Sequence, residues 1–383
     1  MSARILALDH VGVLGGAELS MLDIAAGLGD DVTVRLFVDG PFREALQRRR
    51  VDVKVLPMGA LAFVKKESLA PSPRAVLAAW RMAGVVAREG ASARVLYANS
   101  QKAFIVAALA GRRGGRPVVW HLRDLLGAPH FSALNTRAAV MMANWGAARV
   151  ITNSQATADA FVTAGGRRRL VRVVHNGIDA AVFDAVPDDA VRALRTQLAP
   201  KAAYVLAVFG RLHAWKGQQV ALDALATLPA DCHLWVVGAP LFGEQAFEAS
   251  LRAQADRLGI ASRVRFLGFR DDIAPLMRAA DVIVHASTFP EPFGRVVVEG
   301  MLARRPVIAT AAGGVPEIIA DGVTGVLVPP GDAAALAHAV ATLRADPARA
   351  TAIAEAGAAR ARRTFGVETM VRGVRAVLDE VMG

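Results

Sequence analysis

The sequence predicts an α/β protein of two doubly wound, Rossmann-like domains facing each other across a cleft. Three observations predict it. The chain has 383 residues, too many for one typical core and suited to two domains of roughly 150–200 residues each. Short apolar runs alternate with helical patterns along its length, as in parallel strands joined by crossover helices. The pattern also breaks at a polar, acidic stretch, DAVPDDA (184–190), and then starts again.

In the first half the strand candidates are RILALDH (4–10), VTVRLFV (32–38), VDVKVLP (51–57), RVLYAN (94–99), PVVWHL (117–122) and RVITNS (149–154). Ala- and Leu-rich stretches such as 17–28 and 73–89 read as the helices between them. After VVHNGIDAAVF come YVLAVFGRL (204–212), HLWVVGAP (233–240), VRFLGF (264–269), DVIVHAS (281–287), PVIAT (306–310) and GVLVP (325–329). Their unbroken Val, Ile and Leu character indicates strands covered on both faces. Residues 333–363, rich in Ala and Arg, read as helical. The expected division is a first domain over 1–178, a second over 179–365, and a helix over 366–383 that returns to the first.

Composition bounds the function. The single cysteine, Cys232, excludes a disulfide framework and a cysteine-based zinc site; beside HLWVVG it reads as a buried thiol at a strand edge. MSARILALDHVG reads as a strand rather than an export signal, and no apolar run reaches the roughly 18–20 residues of a spanning helix. The expectation is a cytoplasmic protein. Residues 1–178 carry 24 Lys and Arg against 12 Asp and Glu, a net +12, whereas residues 179–383 carry 21 against 22, a net −1. The excess clusters at 48–50, 65–66, 112–116 and 167–169. Such clusters suit an anionic membrane surface, nucleic acid, or simply solvent. Nucleic acid is the least supported, because few aromatics interleave with the clusters and no reading helix or stacking platform is recognisable.

Ligands of open α/β sheets bind at the carboxyl ends of strands, where strand order reverses, so the loops there carry the candidates. After the first strand, HVGVLGGAELSML (10–22) places Gly15 and Gly16 at a helix start. That suits phosphate, and it equally suits a simple turn of the chain. GRLHAWKGQQ (210–219) sets Arg211 and Lys216 in one glycine-bounded loop, two cations able to hold a diphosphate or merely to face solvent. In STFPEPFGRVVVEGM (287–301), Glu291 falls in a loop, and Glu299 lies one turn inside the following helix, four residues after Arg295. Such a pair can be an acid and base, metal ligands, or two readers of hydroxyl groups. TAAGGVPEII (310–319) adds Glu317. His121 and Asp124 follow a first-half strand, where a lone histidine is more often structural, and no third ligand lies at metal spacing. HNGID (175–179) is explained by a turn at Asn176-Gly177 as well as by a ligand contact.

GGAE near the start, GRLHAWKG, and above all EPFGRVVVEGMLARRPVIATAAGGVPEII resemble the retaining family 4 glycosyltransferases (GT4), of the glycogen-synthase-like GT-B superfamily. The resemblance runs from residue 4 to about 365 and takes in HNGID and VRFLGFRDDIAPLMRAADVIV. It implies transfer of a sugar from a nucleotide-diphosphate sugar to a hydroxyl acceptor, without a metal or other cofactor. Glu291 and Glu299 match the family's two glutamates, Glu291 reading hydroxyls of the transferred sugar and Glu299 those of the ribose. By the same resemblance Arg211 and Lys216 hold the diphosphate, and Gly15 and Gly16 meet it from the first domain. Phe293, Gly294 and Val296 add backbone contacts, Arg270 lies by the base, and His121 lies by the donor sugar. Retention is expected through front-face attack, with Glu291 not a covalent nucleophile.

YANSQKAF (97–104) and the 59–70 segment are acceptor-side candidates, and the basic first half raises a lipid-linked acceptor at a membrane surface. Two alternatives share the architecture. A nucleotide-sugar epimerase would have two such domains, but the Arg/Lys loop with EPFG favours transfer. A two-lobed solute-binding protein would ordinarily be exported.

Overall fold

The computed structural model describes residues 4–57, 73–127, 132–240 and 244–383; the 59–70 segment lies outside the described residues. The chain forms two compact units, Met1–Gly177 together with Val367–Gly383, and Ile178–Gly366.

The first unit holds a seven-stranded sheet of β1 (Ile5–Asp9), β2 (Val32–Leu36), β3 (Asp52–Val55), β4 (Val95–Ala98), β5 (Val118–Leu122), β6 (Arg149–Thr152) and β7 (Val171–Val173). Its order is β3-β2-β1-β4-β5-β6-β7, and every pairing is parallel. The order reverses between β1 and β4, where Ile5 faces Val95 in register. β1, β4 and β5 are buried at every residue, as a sheet covered by helices on both faces requires. β7 was not expected from the sequence. Its three residues, VRV, sit at the sheet edge half exposed, too short and too polar to stand out.

Helices Pro73–Glu89, Gln101–Gly114 and Ala133–Gly146 pack one face of this sheet around Phe104, Trp120 and Phe161. On the other face, helix Gly16–Leu28 meets helix Val367–Met382, whose Met370, Val374, Val377 and Leu378 join the core around Ile5, Val34 and Phe42. The two helices approach closely because Gly27 has no side chain; a Cβ there would stand 2.7 Å from a Val371 methyl group.

The second unit holds β8 (Tyr204–Phe209), β9 (Cys232–Val237), β10 (Val264–Gly268), β11 (Val282–His285), β12 (Val307–Thr310) and β13 (Val326–Val328). Its order, β10-β9-β8-β11-β12-β13, is again all parallel and reverses between β8 and β11. Two apolar layers, one around Trp235, Phe293 and Phe365 and the other around Leu206, Leu225 and Val340, cover it. Cys232 is a free, buried thiol at the start of β9. In each unit, the loops leaving the carboxyl ends beside the reversal hold most of the residues singled out by sequence.

Candidate functional site

In the second unit the loop after β8 is tied to the loop after β11. His213 accepts the Trp215 amide through Nδ1 at 3.3 Å, and the Trp215 carbonyl accepts the Thr288 amide at 2.9 Å. Gly217 lets the loop pass β11. It has φ +75°, and a Cβ there would lie 1.8 Å from the Ala286 carbonyl oxygen, so only glycine fits. This brings Lys216 Nζ to 2.6 Å from Glu291 Oε1 and 4.4 Å from the Trp215 ring. The Arg211 guanidinium lies 6.0 Å from the same ring, and burial draws its proton affinity down.

Glu291 is held from several sides. The Ser287 hydroxyl donates to its Oε1, and His285 Nε2 stands 3.1 Å from the same oxygen. Its own carbonyl accepts the Gly314 amide at 2.9 Å, which pins the loop to the GGVPE segment. Burial by itself would raise its pKa, but the charge of Lys216 and the His285 contact outweigh burial and hold it well below the usual range. Glu291 is therefore an ionised acceptor with an ammonium against it.

Gly294 caps helix Arg295–Leu302, and Glu299 accepts from Arg295 Nε at 2.9 Å one turn in, on one helix face. Phe293 is buried against Phe365, which leaves its backbone as the group it can offer. Val296 packs partly buried on the same core. Arg270, just after β10, grips Asp272 with two bonds of 2.7 and 2.5 Å, and its neighbour Phe269 is 79% exposed. Glu317 lies in the short helix Val315–Ile318.

In the first unit the carboxyl edge holds a buried polar cluster. Gly15 precedes helix Gly16–Leu28, and its amide donates to Glu18 Oε2 at 3.0 Å. Burial, and then the charge of Asp9, push Glu18 up to about 7. Asn99 donates to Asp9 at 2.6 Å and accepts Arg123 through Nε and Nη2 at 3.0 and 2.9 Å. Arg123 also donates to Asn176 at 2.7 Å. That bond explains a correction: residues 174–177 form no turn, and Asn176 is buried with its side chain on Arg123.

His121 is the next-to-last residue of β5, at its carboxyl end, and fully buried. Burial and the nearby charge of Arg123 keep it neutral, well below the usual histidine range. Its Nδ1 lies 2.5 Å from the Tyr97 hydroxyl. A phenol is the stronger donor and an imidazole nitrogen the stronger acceptor, so Tyr97 donates to Nδ1 and the ring proton sits on Nε2. Nε2 is buried and meets no hydrogen-bond partner among the described residues, an unpaired buried donor. Among the described residues, no group of His, Cys, Asp and Glu is arranged to hold a metal ion.

Sequence reasoning missed Asp9, Arg123, His285 and Ser287. Tyr97 and Asn99 fell inside a segment singled out for a different reason, the acceptor. His285 and Ser287 close a run read for its apolar character, six and four residues before Glu291, and the loop after β11 folds back to set both on its carboxylate.

Comparison with known proteins gives the family of the chain. The model of glycosyl transferases group 1 matches residues 192–360, and that of Glycosyltransferase Family 4 matches residues 14–182. Anabaena HepE, solved in complex with UDP and glucose, is 40% identical, with a TM-score of 0.89 over 98% of this chain and 99% of that one. A glycosyltransferase from Rickettsia africae shares the fold at 20% identity and a TM-score of 0.85, covering 100% of this chain and 99% of that one. D-inositol 3-phosphate glycosyltransferase of Mycobacterium sp. (strain JLS) is 37% identical over 198 residues, 51% of this chain and 44% of its own length. The match thus spans less than half of that curated relative. The matched models, the HepE likeness over the full length and the paired parallel sheets identify the chain as a member of the family 4 glycosyltransferases, with the GT-B fold.

Proposed function

We propose that this glycosyltransferase moves a sugar from a nucleotide-diphosphate sugar to a hydroxyl acceptor, with retention at the anomeric carbon and without a metal. The observation that carries this reading is the Lys216–Glu291 pair, backed by His285 and Ser287 at the carboxyl edge of β8 and β11. An ammonium has three hydrogens; one on Glu291 leaves two for phosphate oxygens. Lys216 and Arg211 then stabilise the charge that grows on the diphosphate as the glycosidic bond breaks, fixed in place before reaction. Glu291, ionised and oriented, accepts hydroxyls of the transferred sugar. Glu299 reads the ribose, Phe293, Gly294 and Val296 offer backbone contacts, and Arg270 with the exposed Phe269 flanks the base. Gly16 supplies its amide to the diphosphate, Gly15, whose own amide is taken by Glu18, lets the backbone approach closely, and the His121 Nε2–H donates to a sugar oxygen. UDP-glucose is the first donor to try, because HepE was solved with UDP-glucose as well as with UDP.

The test is a thermal-shift panel of nucleoside diphosphates and nucleotide sugars, followed by an assay of free diphosphate with and without sugar acceptors. Specific stabilisation by one nucleotide sugar, and release that depends on an acceptor and survives chelation by EDTA, support the reading. An epimerase would change the sugar's configuration without needing an acceptor. NMR of the product's anomeric proton decides retention.

A further inference from the structure

We propose that the outer face of helices Pro73–Glu89, Gln101–Gly114 and Ala133–Gly146 docks on an anionic lipid surface. The three helices pack their inner sides into one core, so their outer sides form one face of the first unit. That face is unusually apolar for an exposed surface. Val76, Leu77 and Trp80 are 55%, 48% and 48% exposed on the first helix; Leu134, Met141 and Trp145 are 52%, 67% and 49% exposed on the third. Leu134, Met141 and Trp145, with Arg137, recur at helical spacing, so they form a stripe along the helix.

The middle helix joins the two stripes. Arg112 and Arg113 reach in opposite directions: the Arg112 guanidinium lies 4.8 Å from the Trp145 ring and donates to the Trp145 carbonyl at 2.9 Å. The Arg113 guanidinium lies 3.9 Å from the Trp80 ring and donates to the Trp80 carbonyl at 2.8 Å. Beside Trp145 a shallow cavity of about 390 Å³ is lined by Arg112, Met141, Asn144, Trp145 and Arg167. Two guanidiniums, an amide and an indole around one depression match a phosphate headgroup with apolar chain beside it.

Charge selects the occupant. The three helices carry seven basic side chains and one acidic one, Glu89, which pairs with Arg35 at 2.9 Å. A protein partner of ordinary mixed charge would leave these arginines opposed to its own cations, whereas an anionic bilayer meets them with phosphates and takes up tryptophan at its interface. Docking of this kind needs no spanning helix, and no helix among the described residues is long and apolar enough to be one.

The test is co-sedimentation of the full chain with vesicles of phosphatidylcholine, with and without phosphatidylglycerol, at low and high salt. Binding to the anionic vesicles alone, weakened by salt, is expected. The W80A/W145A and R112A/R113A variants, checked for native circular dichroism, should each bind about tenfold more weakly or worse. Their release of nucleotide on a water-soluble acceptor should be unchanged. Failure to sediment at low salt overturns the proposal, as does binding that both variants retain. If the chain instead self-associates through this face, seen by sedimentation velocity and abolished in W80A/W145A, the face is a contact between copies and the proposal also falls.

Discussion

Glu291 and Glu18 are equally buried, each about 8% exposed, yet they are driven in opposite directions. In the second unit an ammonium and an imidazole face Glu291 and hold it ionised. In the first unit Glu18 shares its surroundings with Asp9, and burial together with that second carboxylate pushes it up to about 7. Burial sets the stake in both cases, and the nearest charge decides the outcome. A carboxylate built to accept hydroxyls is paired with cations. A carboxylate that mainly caps a helix is left close to protonation at neutral pH.

The largest break in this contrast is Lys216→Ala. Removing the cation should lower turnover by about 10²–10³ at saturating donor, the scale for one fixed group stabilising an oxyanion. It should also move acid unfolding to higher pH. A carboxylate held low in the folded state contributes stability above its unfolded pKa and loses it as pH falls through the folded value, and without Lys216 that folded value rises. Near-normal diphosphate release by the variant would overturn the assignment.

Glu18→Gln is next. With its folded pKa near 7, above the usual carboxylate value, Glu18 favours folding most at low pH, and that contribution is lost as pH rises towards 7. Glutamine still accepts the Gly15 amide but cannot ionise. Denaturant unfolding should therefore show a decline of about 2–3 kcal/mol between pH 4.5 and 7 in the parent chain that is absent in the variant. Equal slopes for the two proteins would remove the contrast.

Glu299→Ala should weaken nucleoside diphosphate binding about tenfold in calorimetry and leave turnover at saturation little changed, since ribose contacts are present before and during reaction. Tyr97→Phe is the smallest effect. It frees Nδ1 of His121 to hold the proton, so long-range ¹⁵N spectra should show the tautomers mixing, with a loss of about five- to tenfold in kcat/KM. A single Nε2–H tautomer in the variant would show that Tyr97 does not set it.

The fold was legible in the sequence because strands buried on both faces are written as unbroken apolar runs. Strand starts were located to within a residue or so, and among the described residues the three-residue edge strand β7 alone escaped. Candidate residues stood out in the sequence where glycine and charge coincide, as in GRLHAWKG and EPFG, and the structure brings Lys216 and Glu291 of those two loops together. Arg123 and Asp9 stayed hidden because their partners lie 53 and 90 residues away and strand order makes them neighbours, whereas His285 and Ser287, six and four residues before Glu291, were passed over as the end of an apolar run. The Asn176-Gly177 pair misled because a turn dipeptide records local freedom, and Arg123 overrides it from 53 positions away.

Helix Val367–Met382 has a consequence for how the chain is made. It completes a core begun by residues 5–46, yet the ribosome delivers it after the whole of Ile178–Gly366. The second unit can finish folding while the first still exposes the apolar side of helix Gly16–Leu28. During synthesis the first unit closes only after the second has been made, and a change that disturbs helix Val367–Met382 will be felt at residues translated more than three hundred codons earlier.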